Sequence, residues 1–189
     1  AARQAVGPGR PFAAEAHEAS IEAAYADVLS ALERERYDEA LELLDERGFE
    51  IATQGQPMVV RAAILLQAGR FAEAEDSAHL VLAIDARSAG AHYVLALCRE
   101  QAGDLQGARA HDRLAADIDG RFAMPHLHLG LLAKRAGVRS EATSALRRAL
   151  ALLPHEEASR IVLFGGGFSR FALADVCRRE LDRVEAEES

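Results

Sequence analysis

The chain contains no tryptophan, and aromatic residues make up only 5% of it. Its core therefore rests on aliphatic side chains and close backbone approach rather than on large rings. Lysine is nearly missing too: Lys134 is the single one, and the other basic residues are arginines. Lys and Arg number 22 against 30 Asp and Glu, a net charge of −8 at pH 7. An acidic chain lacks the positive field that a phosphate backbone requires, which argues against nucleic acid as a partner. No run reaches the roughly 18 apolar residues of a membrane span, and the start, Ala1-Ala2-Arg3-Gln4, has no apolar signal core. Only two cysteines occur, Cys98 and Cys177, far apart and in no CxxC or Cys/His ligand spacing. They read as reduced structural thiols of a cytoplasmic protein.

What the chain does have is a beat of 34 residues. Gly69, Gly103 and Gly137 stand 34 apart, and Ala74, Ala108 and Ala142 follow them at an offset of five, with Ala40 one period earlier. His92 and His126, Leu95 and Leu129, Asp85 and Asp119, and Arg87 and Arg121 share the period. A fixed period fixes architecture before any local motif is read. This one, with a small residue at the turn and alanine five later, is the tetratricopeptide pattern of paired antiparallel helices. The turn glycine permits the backbone angle that ends the first helix, and the alanine lets the second helix approach closely. The predicted fold is all-α: a right-handed superhelix of about four helix-turn-helix repeats plus a C-terminal capping helix.

Residues 1–14 contain Gly7-Pro8-Gly9-Arg10-Pro11 and read as a linker from an upstream domain. The repeats are expected over 15–156, in units of about 21–54, 55–88, 89–122 and 123–156. The first unit is the least regular: Glu35 stands at its turn, and Gly48 is expected to end its second helix. Over 157–189 a fifth unit begins and breaks. Ile161-Val162-Leu163-Phe164 starts a helix, Gly165-Gly166-Gly167 cuts it, and Ser169 is placed to cap a last helix from about Arg170 to Glu187. A solenoid needs a cap over its last apolar face. This last helix, with its stripe of Leu173, Val176, Cys177, Leu181 and Val184, fits that need. Ile161, Leu163, Phe164 and Phe168 are also expected to cover the end of the fourth pair.

Few residues invite a chemical reading. The glycine run before a helix resembles an anion or cofactor site, such as one for S-adenosylmethionine. It lacks the strand-turn-helix context and the spacing of a dinucleotide or phosphate loop, so a hinge is the plainer reading. His126 and His128 are two apart and point to different sides of a helix, a poor pair for one metal ion. His92 and His126 fall where the repeats carry a residue packed between helices. Asp85-x-Arg87 and Asp119-x-Arg121 read as loop ion pairs or turn caps. No catalytic, cofactor-binding or metal-binding residue is assigned.

The working surface expected of this repeat class is the concave groove along the first helices. Its positions are Gln56, Val59, Ala63, Leu66 and Gln67 in the second unit, and Gly90, Tyr93, Leu97, Glu100 and Gln101 in the third. In the fourth they are Met124, Leu127, Leu131, Lys134 and Arg135. The floor is apolar, with Tyr93 and Met124 as adaptable anchors. Some relatives clamp a peptide carboxylate with asparagine, and this sequence has no Asn. The expected ligand is thus an amphipathic helix or extended apolar segment with acidic residues near Lys134 and Arg135. A groove filled by the chain's own N-terminal segment is the alternative.

Three stretches carry a narrower resemblance. They are His92 to Glu100, Phe122 to Gly130, and Leu163-Phe164-Gly165-Gly166-Gly167-Phe168-Ser169-Arg170 running on to Cys177-Arg178-Arg179-Glu180-Leu181. Together they resemble the C-terminal tetratricopeptide region of CheR-type methyltransferases, which methylate chemoreceptor glutamates using S-adenosylmethionine. Phe171 departs from the pattern, where a Glu is expected. The resemblance implies a non-catalytic regulatory module, a monomer, with the methyltransferase domain and its S-adenosylmethionine upstream. The implied partners are chemotaxis signalling proteins or that catalytic domain. A free-standing adaptor of secretion or pilus assembly is the competing expectation.

Overall fold

The structure, a computed structural model, describes residues 25–52 and 57–186. The expected linker at 1–14 lies outside them. Helix α1 covers residues 25–33 and pairs with α2 (Tyr37–Ala52). Then come α3 (Pro57–Gln67) with α4 (Phe71–Ile84), α5 (Ala89–Gln101) with α6 (Leu105–Ile118), and α7 (Ala123–Arg135) with α8 (Arg139–Leu152). A 3-10 turn (Leu153–His155), a short α9 (Ala158–Phe164) and α10 (Arg170–Ala186) complete the chain. Among the described residues there is no strand. The architecture is an all-α tetratricopeptide superhelix.

The helices end where the 34-residue beat places its turns, and each turn closes in the same way. The amide of Gly69 donates to Leu66 O and that of Arg70 to Leu65 O; Gly103 and Asp104 do the same to Glu100 and Arg99. Gly137 and Val138 repeat the pair on Lys134 and Ala133, and Glu35 and Arg36 on Leu32 and Ala31. This double closure needs a left-handed residue at the second-last position. The φ values are 73° at Gly69, 81° at Gly103 and 72° at Gly137, and Glu35 adopts 58° without the freedom of a glycine. Five residues on, Ala40, Ala74, Ala108 and Ala142 are each fully buried against the partner helix.

Helices α6 and α5 are started by side chains, whereas α4 and α8 have no side-chain cap. Asp104 Oδ1 accepts from the Gly107 amide at 2.8 Å and Ser88 Oγ from the Ala91 amide at 3.4 Å. Between units, the Asp85 and Asp119 carboxylates accept from the amides of Arg87 and Arg121 at 2.9 and 3.0 Å.

Two expectations are corrected. Helix α2 runs through Gly48 to Ala52, because a glycine permits a stop without imposing one. More consequentially, Ile161, Leu163, Phe164 and Phe168 do not cover the fourth pair. That task falls to α10 alone, the expected capping helix, which packs on α8 and α7 through Leu173, Cys177, Leu181 and Val184. Its first turn is capped by Ser169, whose Oγ accepts from the Ala172 amide at 3.2 Å. Ile161, Leu163 and Phe164 are buried elsewhere, and Phe168 stays 55% exposed.

The turns yield a reciprocal prediction. A Cβ added at Gly103 would meet nothing within 4 Å, so the only cost there is the positive φ. Gly103→Ala should lower stability by about 1–2 kcal/mol. Glu35→Gly should leave it unchanged or raise it by up to about 1 kcal/mol, the relief being offset by a freer unfolded chain. Urea denaturation of both variants checks the pair; a Gly103→Ala midpoint equal to wild type contradicts it.

Candidate functional site: the concave face

Helices α3, α5 and α7 present one face each to the inside of the superhelix. Val59, Ala63 and Leu66 of α3, Tyr93 of α5, and Met124 and Leu127 of α7 are buried there, and Leu97 and Leu131 are half-buried. Gln67, Glu100 and Lys134 are also half-buried, whereas Gln101 and Arg135 are exposed. Gln56 lies outside the described residues.

The middle of this face holds a segment of the chain itself. After the 3-10 turn the backbone is extended at Glu156 and Glu157, then enters the groove as α9. Phe164 packs edge-on against Tyr93 and Phe122, with ring centroids 5.9 and 5.2 Å away, and Tyr93 and Phe122 meet at 5.3 Å. Gly90 makes room for it: a Cβ there would lie 3.1 Å from Phe164 Cζ and 2.8 Å from Val59 Cγ1. One turn earlier, the Arg160 guanidinium stands 4.2 Å over the Phe122 ring and pairs with Asp119 at 2.8 Å. The side-chain amide of Gln67 donates to Val162 O at 3.0 Å and Leu163 O at 2.8 Å, satisfying carbonyls that the helix end leaves open. Burying Ile161, Leu163 and Phe164 contributes roughly 5–9 kcal/mol as an upper bound. The expected alternative, a groove filled by the chain's N-terminal segment, lies outside the described residues; the occupant seen here is a C-terminal segment, which the sequence reading did not foresee.

The glycine run is where this excursion reverses. Gly166 and Gly167 have φ of 60° and 78°, and a Cβ on Gly165 would sit 2.5 Å from Ile161 O. The base of the excursion is clasped. Arg170 donates to Leu153 O, Pro154 O and Glu156 O, and the buried Glu156 carboxylate accepts from the Ala123 amide at 2.7 Å, capping α7. Beside α9, among the described residues, the groove holds a cavity of about 620 Å³, lined in part by Tyr25, Val60, Arg87 and Ile118.

The rim charges expected to meet a ligand are paired within the chain. Lys134 pairs with Glu180 of α10, and Arg135 with Glu100. Behind Glu100 lies a buried polar chain that the sequence reading missed. His128 Nε2 is 2.8 Å from Glu100 Oε2, and its Nδ1 is 2.7 Å from Oδ2 of Asp112, which is 0% exposed. The latter contact is an ion pair rather than an aligned hydrogen bond, since neither Asp112 oxygen nor His128 Nδ1 has a hydrogen-bond partner of good geometry. A signal for both was present. One period away from Asp112 stand Ala78 and Leu146, and one and two periods before His128 stand Val94 and Val60. A polar residue at a repeated core position needs a buried partner.

Burial by itself would lower the His128 pKa, but the Asp112 and Glu100 carboxylates reverse this and lift it to about 9. Burial pushes Asp112 up to about 6 against the pull of His128. The hydrogen bond from His128, helped by Arg135 and opposed by partial burial, holds Glu100 at about 2. Of the remaining histidines, His92 Nδ1 faces His111 Nδ1 at 3.1 Å, and burial, then Arg148, lowers the pKa of His126. Among the described residues, no group of three His, Cys, Asp or Glu side chains is placed to hold a metal ion. Burial raises both thiols, Cys98 and Cys177, to about 11, where they are unreactive at neutral pH.

No protein-family model matches the chain, and no curated protein matches it. Solved structures do. A tetratricopeptide protein of Thermus thermophilus, TTC0263, superposes with a TM-score of 0.59 at 22% identity, over 87% of this chain and 89% of that one. PcrH, solved in complex with the chaperone binding region of PopD, gives 0.55 at 21% identity, over 80% and 96%. MamA from Desulfovibrio magneticus RS-1 gives 0.54 at 20% identity, over 73% and 78%. At such identities the likeness establishes the fold.

The buried chain yields a pH prediction. The His128 pKa is raised from its ordinary 6.5, so its stabilisation is full below about pH 6.5 and is lost as pH rises through about 9. Asp112, also raised, withdraws stability between about pH 4 and 6, and Glu100, lowered, withdraws it as pH falls from about 4.5 toward 2. The urea midpoint should therefore decline from pH 6.5 to 9, and His128→Gln should flatten that decline. His128→Ala, which leaves Asp112 buried without a cation, should cost about 3–5 kcal/mol at neutral pH. A wild-type midpoint that is flat across this range contradicts the assignment.

Proposed function

We propose that this chain is a protein-docking module whose concave face holds a short helical segment of a partner polypeptide. The observation that carries the reading is the seat itself: α9 lies in the groove as a ligand would, with an aromatic anchor, a paired arginine and capped carbonyls. Half-buried Leu97 and Leu131 extend the apolar floor toward Lys134 and Arg135, whose pairing with Glu180 and Glu100 shows the acidic groups these cations select. The role needs no cofactor within this segment. In this reading the Gly165–Gly167 turn is a reversal, not an S-adenosylmethionine site, because the geometry of all three glycines serves the backbone.

The finer proposal is that the module belongs to a CheR-type methyltransferase and docks chemotaxis signalling proteins or the catalytic domain itself, in the cytoplasm. The support is the resemblance, whose most specific stretch, Leu163 to Arg170 with Cys177 to Leu181, forms the end of α9, the reversal and the face of α10. A second reading, an adaptor of secretion, is favoured by the likeness to PcrH, which was solved with the chaperone binding region of PopD. The two separate on the coding sequence upstream of Ala1, where a methyltransferase domain supports the first. Neither requires a membrane span, and no helix among the described residues is long and apolar enough to be one.

The docking role is tested by combining Leu97→Ala with Leu131→Ala, two half-buried groove positions outside the Phe164 seat. Binding to the partner should weaken at least about tenfold, and receptor methylation by an intact methyltransferase parent should change. Normal folding with unchanged binding and unchanged methylation removes the groove from the mechanism.

A further inference from the structure

We infer that α9 is a built-in copy of the ligand, and that the partner displaces it with a segment of the same chemistry: a short helix ending in phenylalanine, with arginine four residues earlier. The inference rests on the docking reading above and names what that site recognises.

Four observations lead to it. First, α9 has seven residues, far fewer than the roughly 12–15 at which an isolated helix becomes even marginally stable. It is helical because the groove holds it, which is how a ligand that folds on binding behaves. Second, its contacts come from three separate places in the fold: α3, α5 and the loop between α6 and α7. Gln67 of α3 caps its end, Tyr93 of α5 and Phe122 before α7 flank its aromatic ring, and Asp119 after α6 takes its arginine. Such a seat reads the arginine and the phenylalanine at a fixed separation of one helical turn.

Third, the segment can leave without unfolding its surroundings. Extended Glu157 lies at one end and the three-glycine reversal at the other. Just outside them, Glu156 and Arg170 fix the chain to the start of α7 and to the 3-10 turn. Release of α9 is then a loop movement between two anchored points, with α10 still covering α8. Fourth, among the described residues a cavity of about 620 Å³ adjoins α9, room for an incoming segment to bind before replacing it.

A tethered occupant competes at a high effective concentration, of millimolar order for short flexible links. The apparent affinity for an outside segment falls by the fraction of time the groove stands empty. Weakening α9 should therefore tighten binding in trans, the opposite of what loss of a structural plug would do.

The experiment uses the full chain and a fluorescein-labelled synthetic peptide spanning residues 156–168. Leu163→Ser combined with Phe164→Ser in the protein removes the intramolecular anchors and leaves the groove intact. This variant should bind the peptide at least about tenfold more tightly than wild type, and a peptide carrying Phe164→Ala should not bind. A folded, monomeric variant that binds no more tightly than wild type overturns the inference. Wild-type protein that forms dimers by exchanging this segment overturns the choice of an outside partner. Where the variant loses its helical circular dichroism, hydrogen exchange on wild type decides. With excess peptide, the amides of Ile161 to Gly165 should exchange faster while those of α5 and α7 stay protected; unchanged α9 exchange overturns the proposal. A partner held equally well by wild type and variant keeps the docking function and removes the displacement.

Discussion

The position of one ring, Phe164, organises the inside of this molecule. It meets Tyr93 and Phe122 edge-on at the middle of the concave face, so three of the chain's few aromatics form one cluster. Edge-to-face packing of this kind is directional as well as apolar. It fixes where α9 lies, which brings Arg160 over Phe122 and the last carbonyls of α9 within reach of Gln67. The same anchoring sets the path of the chain into the glycine reversal and on to α10. A tetratricopeptide groove without that ring would be an open apolar channel.

A second constraint ties the helices to one another beneath the groove. Asp112 of α6, His128 of α7 and Glu100 of α5 form a line of charges that ends on Arg135 at the surface. Charges so deeply buried add little net stability, because desolvation offsets most of their attraction. Their effect is on registry: α5, α6 and α7 can satisfy Asp112 and His128 only in one arrangement. Together with the Lys134–Glu180 pair, the line also occupies most of the charge on the C-terminal rim of the groove. Selectivity at the centre then falls to shape, to one aromatic seat and to the Asp119 carboxylate.

These two features divide the repeat array by task. The convex second helices carry the regular alanine packing that holds the pairs together, with Ala40, Ala74, Ala108 and Ala142 all fully buried. The departures from the repeat lie on or behind the concave side: Gly90, Asp112, His128 and Phe164. An array built mostly from nearest-neighbour contacts tolerates such departures, because a change in one unit is felt mainly by the units beside it; α9, which reaches back to α3, is the exception.

The sequence by itself determined the local elements. The period placed the turns, the alanine at a fixed offset marked the tight helix pairs, Ser169 announced its capping role, and Asp85 and Asp119 marked the loops between units. Each of these is a short-range matter of backbone angle or a hydrogen bond a few residues away. Asp112 and His128 were legible in principle, as polar residues at repeated core positions, although not which partner each would find. Residues 158–164 were a different case. The apolar stretch ending in Phe164 had two exposed apolar surfaces within reach, the end of the fourth pair and the concave face, and no local signal chooses between them. The choice was made in three dimensions. Helix α10 already covers α8, Gly90 leaves the space that Phe164 fills, and Gln67, almost a hundred residues away along the chain, supplies the donors that the end of α9 lacks.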